Sequence, residues 1–153
     1  MIAVECFPDE AILRHIGVPV SRIMHSLGKG NVLNALVDGR VRIGMLDEDP
    51  GSTEPPQLRS FVVAENCGSL ILMKHRTMPN VEVVVIRPRL EEWLLSRAQA
   101  NQIEPTKHGL PISGRELHKR KRYEKNAKFK DFVLSLLAVD NEMKVLQGWM
   151  NRS

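Results

Sequence analysis

Apolar positions along this chain come in short blocks whose spacing changes, and the changes sketch an α/β protein. Residues 2–6, "IAVEC", form a brief apolar run that closes on Glu5, as a strand ending at an acid would. In "PDEAILRHI", 8–16, Ile12, Leu13 and Ile16 share one helical face, with Pro8 in the first turn and acids near the positive end. The stretch "SLGKGNVLNALVDG", 26–39, predicts a second helix: glycines lead in, Val32, Leu33 and Leu36 recur at helical spacing, and Gly39 closes it. Residues 41–46 predict another strand. After a loop at 51–56, residues 57–66 read as a helix, and "SLILMKH", 69–75, as a strand or a helix. "VEVVVIRP", 81–88, is β-branched and nearly continuous, the pattern of a strand buried on both faces, and 89–101 is helical.

The last third reads differently. Residues 102–112 are a Pro- and Gly-containing connection. Ser113 and Glu116 make a capping box that opens a basic helix over 115–126. Phe129, Phe132, Val133, Leu136 and Leu137 fall at helical spacing, as core or as the surface of a homodimer. Asp140 caps a final helix carrying Met143, Leu146, Trp149 and Met150. Strands alternating with helices predict a mainly parallel central sheet flanked by helices. The expected organisation is an α/β core over 1–100, with a basic helical extension over 101–153 packed on the same domain.

Composition narrows this picture only modestly. The 153 residues suit one soluble domain. No apolar run approaches the roughly 20 residues of a membrane span, and "MIAVECF" lacks the basic flank of a signal peptide, so the expected location is cytoplasmic. Cys6 and Cys67 are too few for a zinc ribbon or a disulfide framework. The net charge of +4 is unevenly spread. Between Arg115 and Lys130 eight Lys and Arg face Glu116 and Glu124, about +6 in sixteen residues, which leaves the remainder near −2. That segment, with Arg115, Lys119, Arg120, Lys121 and Arg122, is a candidate phosphate-binding surface.

The candidate chemistry sits elsewhere, in "VRIGMLDEDPGS", 41–52, where a buried strand stops at three successive acids. Adjacent like charges repel, so either water solvates an ordinary Asp-Pro-Gly turn or a cation sits among them. Ligands of open parallel sheets gather at the carboxyl ends of strands. Glu5 ends one strand, and Asp47 and Asp49 end another. Three such acids suit Mg²⁺ or Mn²⁺, which favour oxygen ligands. Asp9 reads as a helix-start residue. In "LGKGN", Lys29 lies at a helix entry where an anion can bind, although glycines before a helix are common.

These stretches resemble the Toprim domain, the catalytic module of topoisomerases, primases and several nucleases. The resemblance rests on "VECFPDEAIL", then "LGKGNVLNAL", then the D-x-D of "VRIGMLDEDP", and it spans about residues 1–95. "VIRPRLEEWLL" is similar to a strand–Pro–Leu–Glu–helix segment of small stand-alone Toprim-like proteins related to the overcoming-lysogenisation-defect nucleases. One departure is Cys6, where Toprim proteins usually carry Gly.

The resemblance implies that Asp47 and Asp49 hold the metal and that Glu5 is a ligand or the general acid/base. It also implies an outer ligand from Glu91 or Glu92, with Glu91 nearer the strand end. A topoisomerase would need a nucleophilic Tyr on a separate domain, and Tyr123 lies inside the basic run. A bacterial-type primase would bring a zinc module, which two cysteines cannot build. The remaining expectation is a compact Mg²⁺- or Mn²⁺-dependent nuclease acting on DNA or RNA, in phage defence or nucleic-acid processing, beside an ATPase partner. The rival expectations are a non-catalytic Toprim-like binding or regulatory subunit, and an unrelated α/β protein whose acidic turn is only a turn.

Overall fold

A computed structural model describes residues 1–152. Along the chain these residues form β1 (Ile2–Val4), α1 (Phe7–His15), β2 (Ile23–His25), α2 (Lys29–Val37), β3 (Ile43–Asp47), β4 (Phe61–Cys67), β5 (Leu70–His75), β6 (Glu82–Ile86), α3 (Leu90–Ala100), α4 (Gly114–Lys119), α5 (Ala127–Val139) and α6 (Asn141–Asn151). One six-stranded sheet runs in the order β2-β1-β3-β6-β5-β4. The first three pairings are parallel and the last two antiparallel. The architecture is thus α/β with a mostly parallel sheet flanked by helices and a helical C-terminal part.

The chain leaves β1 for β2 on one side and returns, through α2, to β3 on the other. Helices α1 and α2 consequently lie on opposite faces, and the carboxyl ends of β1 and β3 flank the point where strand order reverses. Helix α2 covers one face with Val32, Leu33, Ala35 and Leu36, packed on Ala3, Leu46 and Val83. It lies so close that a Cβ on Gly44 would stand 2.7 Å from Val32 Cγ1, so this strand position needs glycine for packing.

The other face carries α1, α3, α5 and α6 over Ile2, Val4, Met45, Val84 and Ile86. Phe129, Phe132, Val133 and Leu136 are fully buried there, each large side chain adding about 1.5–3 kcal/mol of apolar burial. The stripe on α5 is therefore core. The C-terminal helices share one hydrophobic core with the sheet.

Two predicted helices are corrected. Residues 57–66 are not helical: a 3₁₀ turn at Pro56–Ser60 leads into β4. This edge strand is exposed at Val62, Val63, Ala64, Glu65 and Asn66, so it shows no alternation to read. The basic helix stops at Lys119 instead of running to 126, because Arg120 turns extended and Arg122 adopts a left-handed φ of 56°. Four successive cations repel one another in one helical turn, and the break lets Tyr123 turn inward. The ambiguous stretch 69–75 is strand β5. Among the described residues, no helix is long and apolar enough to cross a membrane.

Candidate functional site

The carboxyl ends of β1 and β3 open into a cleft of about 490 Å³ lined by Glu5, Cys6, Asp9, Asp47, Asp49, Arg89, Glu92, Arg115 and His118. Strand pairing places the acids: β1 pairs with β3 from Ile2–Ile43 to Val4–Met45, which brings Glu5 beside Leu46 and Asp47. The Asp47 amide donates to Glu5 Oε1 at 2.9 Å. Burial raises the Glu5 carboxyl above its ordinary range, opposed by that amide and by Lys29.

Asp9 has two roles. Its Oδ2 accepts the Cys6 amide at 3.3 Å at the start of α1, which satisfies a helix-end donor as expected. The residue is nevertheless buried at 2% exposure, and its Oδ1 has no partner. Asp47 Oδ1 is likewise buried and unpartnered. Burial pushes both carboxyls well up. The charges of Asp9 and Glu5 add to the rise at Asp47, where the Leu90 amide at the start of α3 opposes them. Buried orphaned acceptors are rare and costly.

Asp49 is held differently. It sits in the left-handed region at φ 55°, a conformation that Asp tolerates. Its Oδ1 pairs with Arg89 Nε at 2.7 Å and its Oδ2 lies 3.7 Å from Lys29 Nζ. Lys29 also donates to the Glu48 carbonyl at 2.8 Å, so the lysine at the α2 entry braces the acidic turn from within. Glu48 is paired with Arg87 at 2.7 Å.

Glu91 and Glu92 differ by about 100° on α3, and the structure separates them. Glu91 is buried at 5% exposure. Its Oε1 accepts from the Tyr123 hydroxyl at 3.0 Å and lies 3.1 Å from His118 Nδ1. It is not among the cleft-lining residues and serves Tyr123 and His118, while its charge adds to the rise at Asp9 and Asp47. Glu92 lines the cleft in its place, with a buried, unpartnered Oε2.

Of the basic residues, Arg115 reaches the cleft wall and Lys29 reaches Asp49. Lys119, Arg120, Lys121 and Arg122 are exposed and do not line the cleft, and Arg120 donates to the Gly109 carbonyl at 2.7 Å. Cys6 stands in extended backbone at φ −143°, where no glycine is needed. Burial and the charge of Asp9 raise its thiol far above the ordinary value, so it remains neutral. Sequence named Glu92 as the alternative to Glu91 and read Asp9 as a helix-start residue and not a site residue; Arg89 was not singled out. The signal for Asp9 was its place one helical turn after Glu5, and for Arg89 its place just before an acidic helix start.

Among the described residues, no three His, Cys, Asp or Glu side chains are arranged to hold one metal ion as they stand. The donor set nevertheless suits a hard divalent cation: Asp9 and Asp47, each with an unpartnered carboxyl oxygen, line one cleft with Glu5. No protein-family model, curated protein or solved structure matches the chain. Fold and site together define an α/β protein with an acid-lined cleft at the carboxyl edge of a mostly parallel sheet.

Proposed function

We propose that this protein is a Mg²⁺- or Mn²⁺-dependent nuclease of Toprim-like kind. The observation that carries the reading is the pair of buried, unpartnered carboxylate oxygens on Asp9 and Asp47 beside Glu5. Buried carboxyls gathered at the switch point of a parallel sheet are costly to ionise without a counter-charge, which a divalent cation would supply. Asp47, Asp9 and Glu5 would hold it, with Asp49 and Glu92 at the rim. Bound there, the cation would supply Lewis acidity toward a phosphodiester oxygen and toward an attacking water.

The chain's own groups supply the rest. Glu5, oriented by the Asp47 amide and raised by burial, takes the proton of the attacking water as the new P–O bond forms. The bond to the leaving oxygen breaks, that oxygen takes a proton from solvent water, and Glu5 returns its own proton to solvent. Arg115 faces the cleft, where it binds a substrate phosphate. Lys119, Lys121 and Arg122 lie outside the cleft and add salt-dependent affinity along the strand. The Toprim resemblance adds the setting: phage defence or nucleic-acid processing, beside an ATPase partner.

A second reading, a non-catalytic nucleic-acid-binding or regulatory subunit, is favoured by one observation. Asp49, the second acid of D-x-D, is engaged by Arg89 and Lys29, which compete with a cation for it. The test is cleavage of mixed DNA and RNA with Mg²⁺, Mn²⁺ or EDTA, comparing the native chain with Asp47→Asn. Metal-dependent cutting that disappears in the variant supports the nuclease. Absence of cutting with every metal transfers support to the binding subunit, and cutting that survives Asp47→Asn removes the site assignment.

A further inference from the structure

Three of the four phenylalanines, Phe61, Phe129 and Phe132, are at most 3% exposed, whereas Phe7 is 60% exposed. It opens α1 two residues after Glu5. One face of its ring stacks on His25 at the end of β2, with centroids 4.2 Å apart and planes 20° from parallel. His25 presents its ring face to Phe7, and its Nε2 is buried without a hydrogen-bond partner. The pair is thus a ring already held in position, at the same edge of the sheet as the acids.

Beside Phe7 runs a furrow of about 490 Å³ whose walls include Arg14, Lys125 and Lys130 together with Glu10 and Glu124. Two of the cations, Arg14 and Lys130, lie near enough to His15 to hold it below its ordinary pKa, after burial itself. A protein partner docking on Phe7 would need an apolar surround, and this border is charged. A flat ring bordered by cations fits a polymer that repeats a flat base and an anion. Duplex bases stack on one another and offer only their edges, so the match is to unpaired nucleotides.

We propose that Phe7, supported by His25 and flanked by Arg14, Lys125 and Lys130, is a base-stacking site for single-stranded nucleic acid. Its place as the entry to the acid cleft rests on the nuclease reading. A nucleotide stacked on Phe7 puts the neighbouring phosphodiester near Glu5, so the substrate class is a single strand or a frayed end.

The experiment measures fluorescence anisotropy of a labelled oligothymidylate, an oligouridylate and a hairpin duplex of equal charge, in EDTA so that nothing is cut. Phe7→Ala should weaken both single strands about 5- to 150-fold, the range of one lost stacking contact, and leave the duplex unchanged. Phe7→Trp should restore the affinity, with indole emission quenched on binding. Because Phe7 is exposed, both variants should melt with the native chain. Native-like binding by Phe7→Ala, equal weakening of duplex and single strand, or no single-strand binding by the native chain would each overturn the site. Cleavage is assayed separately: cutting with Phe7-independent binding sinks only this inference, and Phe7-dependent binding without cutting sinks only the nuclease.

Discussion

The Asp47 amide donates to Glu5 Oε1 across 2.9 Å, and this contact ties the ends of β1 and β3 together at the switch point of the sheet. One oxygen of Glu5 is thereby committed to the fold. Glu5→Gln keeps an oxygen able to accept that hydrogen bond but can no longer carry a proton. The expected outcome is stability within about 1 kcal/mol of the native chain, read by urea unfolding, with metal-dependent cleavage lost. A Glu5→Gln protein that cuts at the native rate would remove Glu5 from proton transfer.

Asp47 and Asp9 concern charge more than geometry. Burial holds both carboxyls above the usual range, so the folded chain keeps protons that the unfolded chain releases. Stability without metal therefore falls as pH rises from the ordinary carboxyl range through these raised values. In EDTA the melting midpoint should drop between pH 5 and pH 8, and Mg²⁺ should restore it at pH 8. Asp47→Asn should melt higher than the native chain at pH 8, by about 2–4 °C for each kcal/mol of repulsion removed. A flat native profile would mean that the acids are solvated.

Asp49 is neutralised by Arg89 at 2.7 Å and, at 3.7 Å, by Lys29. Both ends of the Arg89 pair are 38% exposed, so the contact is weak and can be exchanged. Arg89→Gln should free a carboxylate and tighten Mn²⁺ binding up to about 5-fold, measured by calorimetry. Unchanged Mn²⁺ affinity would show that Asp49 lies outside the cation site.

Legibility followed the physical origin of each feature. Strand β6 and the Asp140 cap of α6 could be read because their signals are local: an unbroken β-branched run, and an acid whose Oδ2 accepts the Met143 amide at 2.9 Å. Strand β4 could not, because an edge strand exposed along most of its length carries no buried face and exists through its pairing with β5. The acids at the ends of β1 and β3 were visible, but their partners were not. Arg89 finds Asp49 from forty residues away, and Glu91 is drawn from the cleft by Tyr123, thirty-two residues later. Asp9 was read as a helix-start residue because one of its oxygens does that work. The other becomes significant only once burial is known.

Tyr123 anchors the basic segment to the core. Its hydroxyl donates to the buried Glu91 at 3.0 Å, and its ring meets Phe129 edge-on with centroids 5.2 Å apart. Tyr123→Phe keeps the ring and removes the donor to a buried carboxylate, a loss of about 1.5–3 kcal/mol. Urea unfolding should show it, and hydrogen exchange over 115–126 should speed up. Native stability in Tyr123→Phe would mean that His118 alone satisfies Glu91.

Arg97 is the centre of the second ionic cluster, far from the cleft. It pairs with Asp140 at 2.7 Å and with Glu142 at 2.6 Å. Glu142 Oε1 also accepts from Trp93 Nε1 at 3.1 Å and from the Ser69 amide at 2.9 Å. One network therefore joins α3, the start of α6 and the β4–β5 turn. Arg97→Met would leave two largely buried carboxylates without their cation, at a cost of about 3–5 kcal/mol. Burial alone would raise the Asp140 carboxyl, but hydrogen bonds from Arg97, the Met143 amide and Asn101 outweigh it and hold it below the ordinary value. Its contribution is complete above the unfolded carboxyl pKa and disappears as pH falls through the lowered folded value. Urea midpoints at pH 7 and pH 3 should fall steeply for the native chain. Asp140→Asn should start lower at pH 7 and lose less on acidification. Equal acid losses in the two proteins would place the acid-sensitive groups elsewhere in the fold.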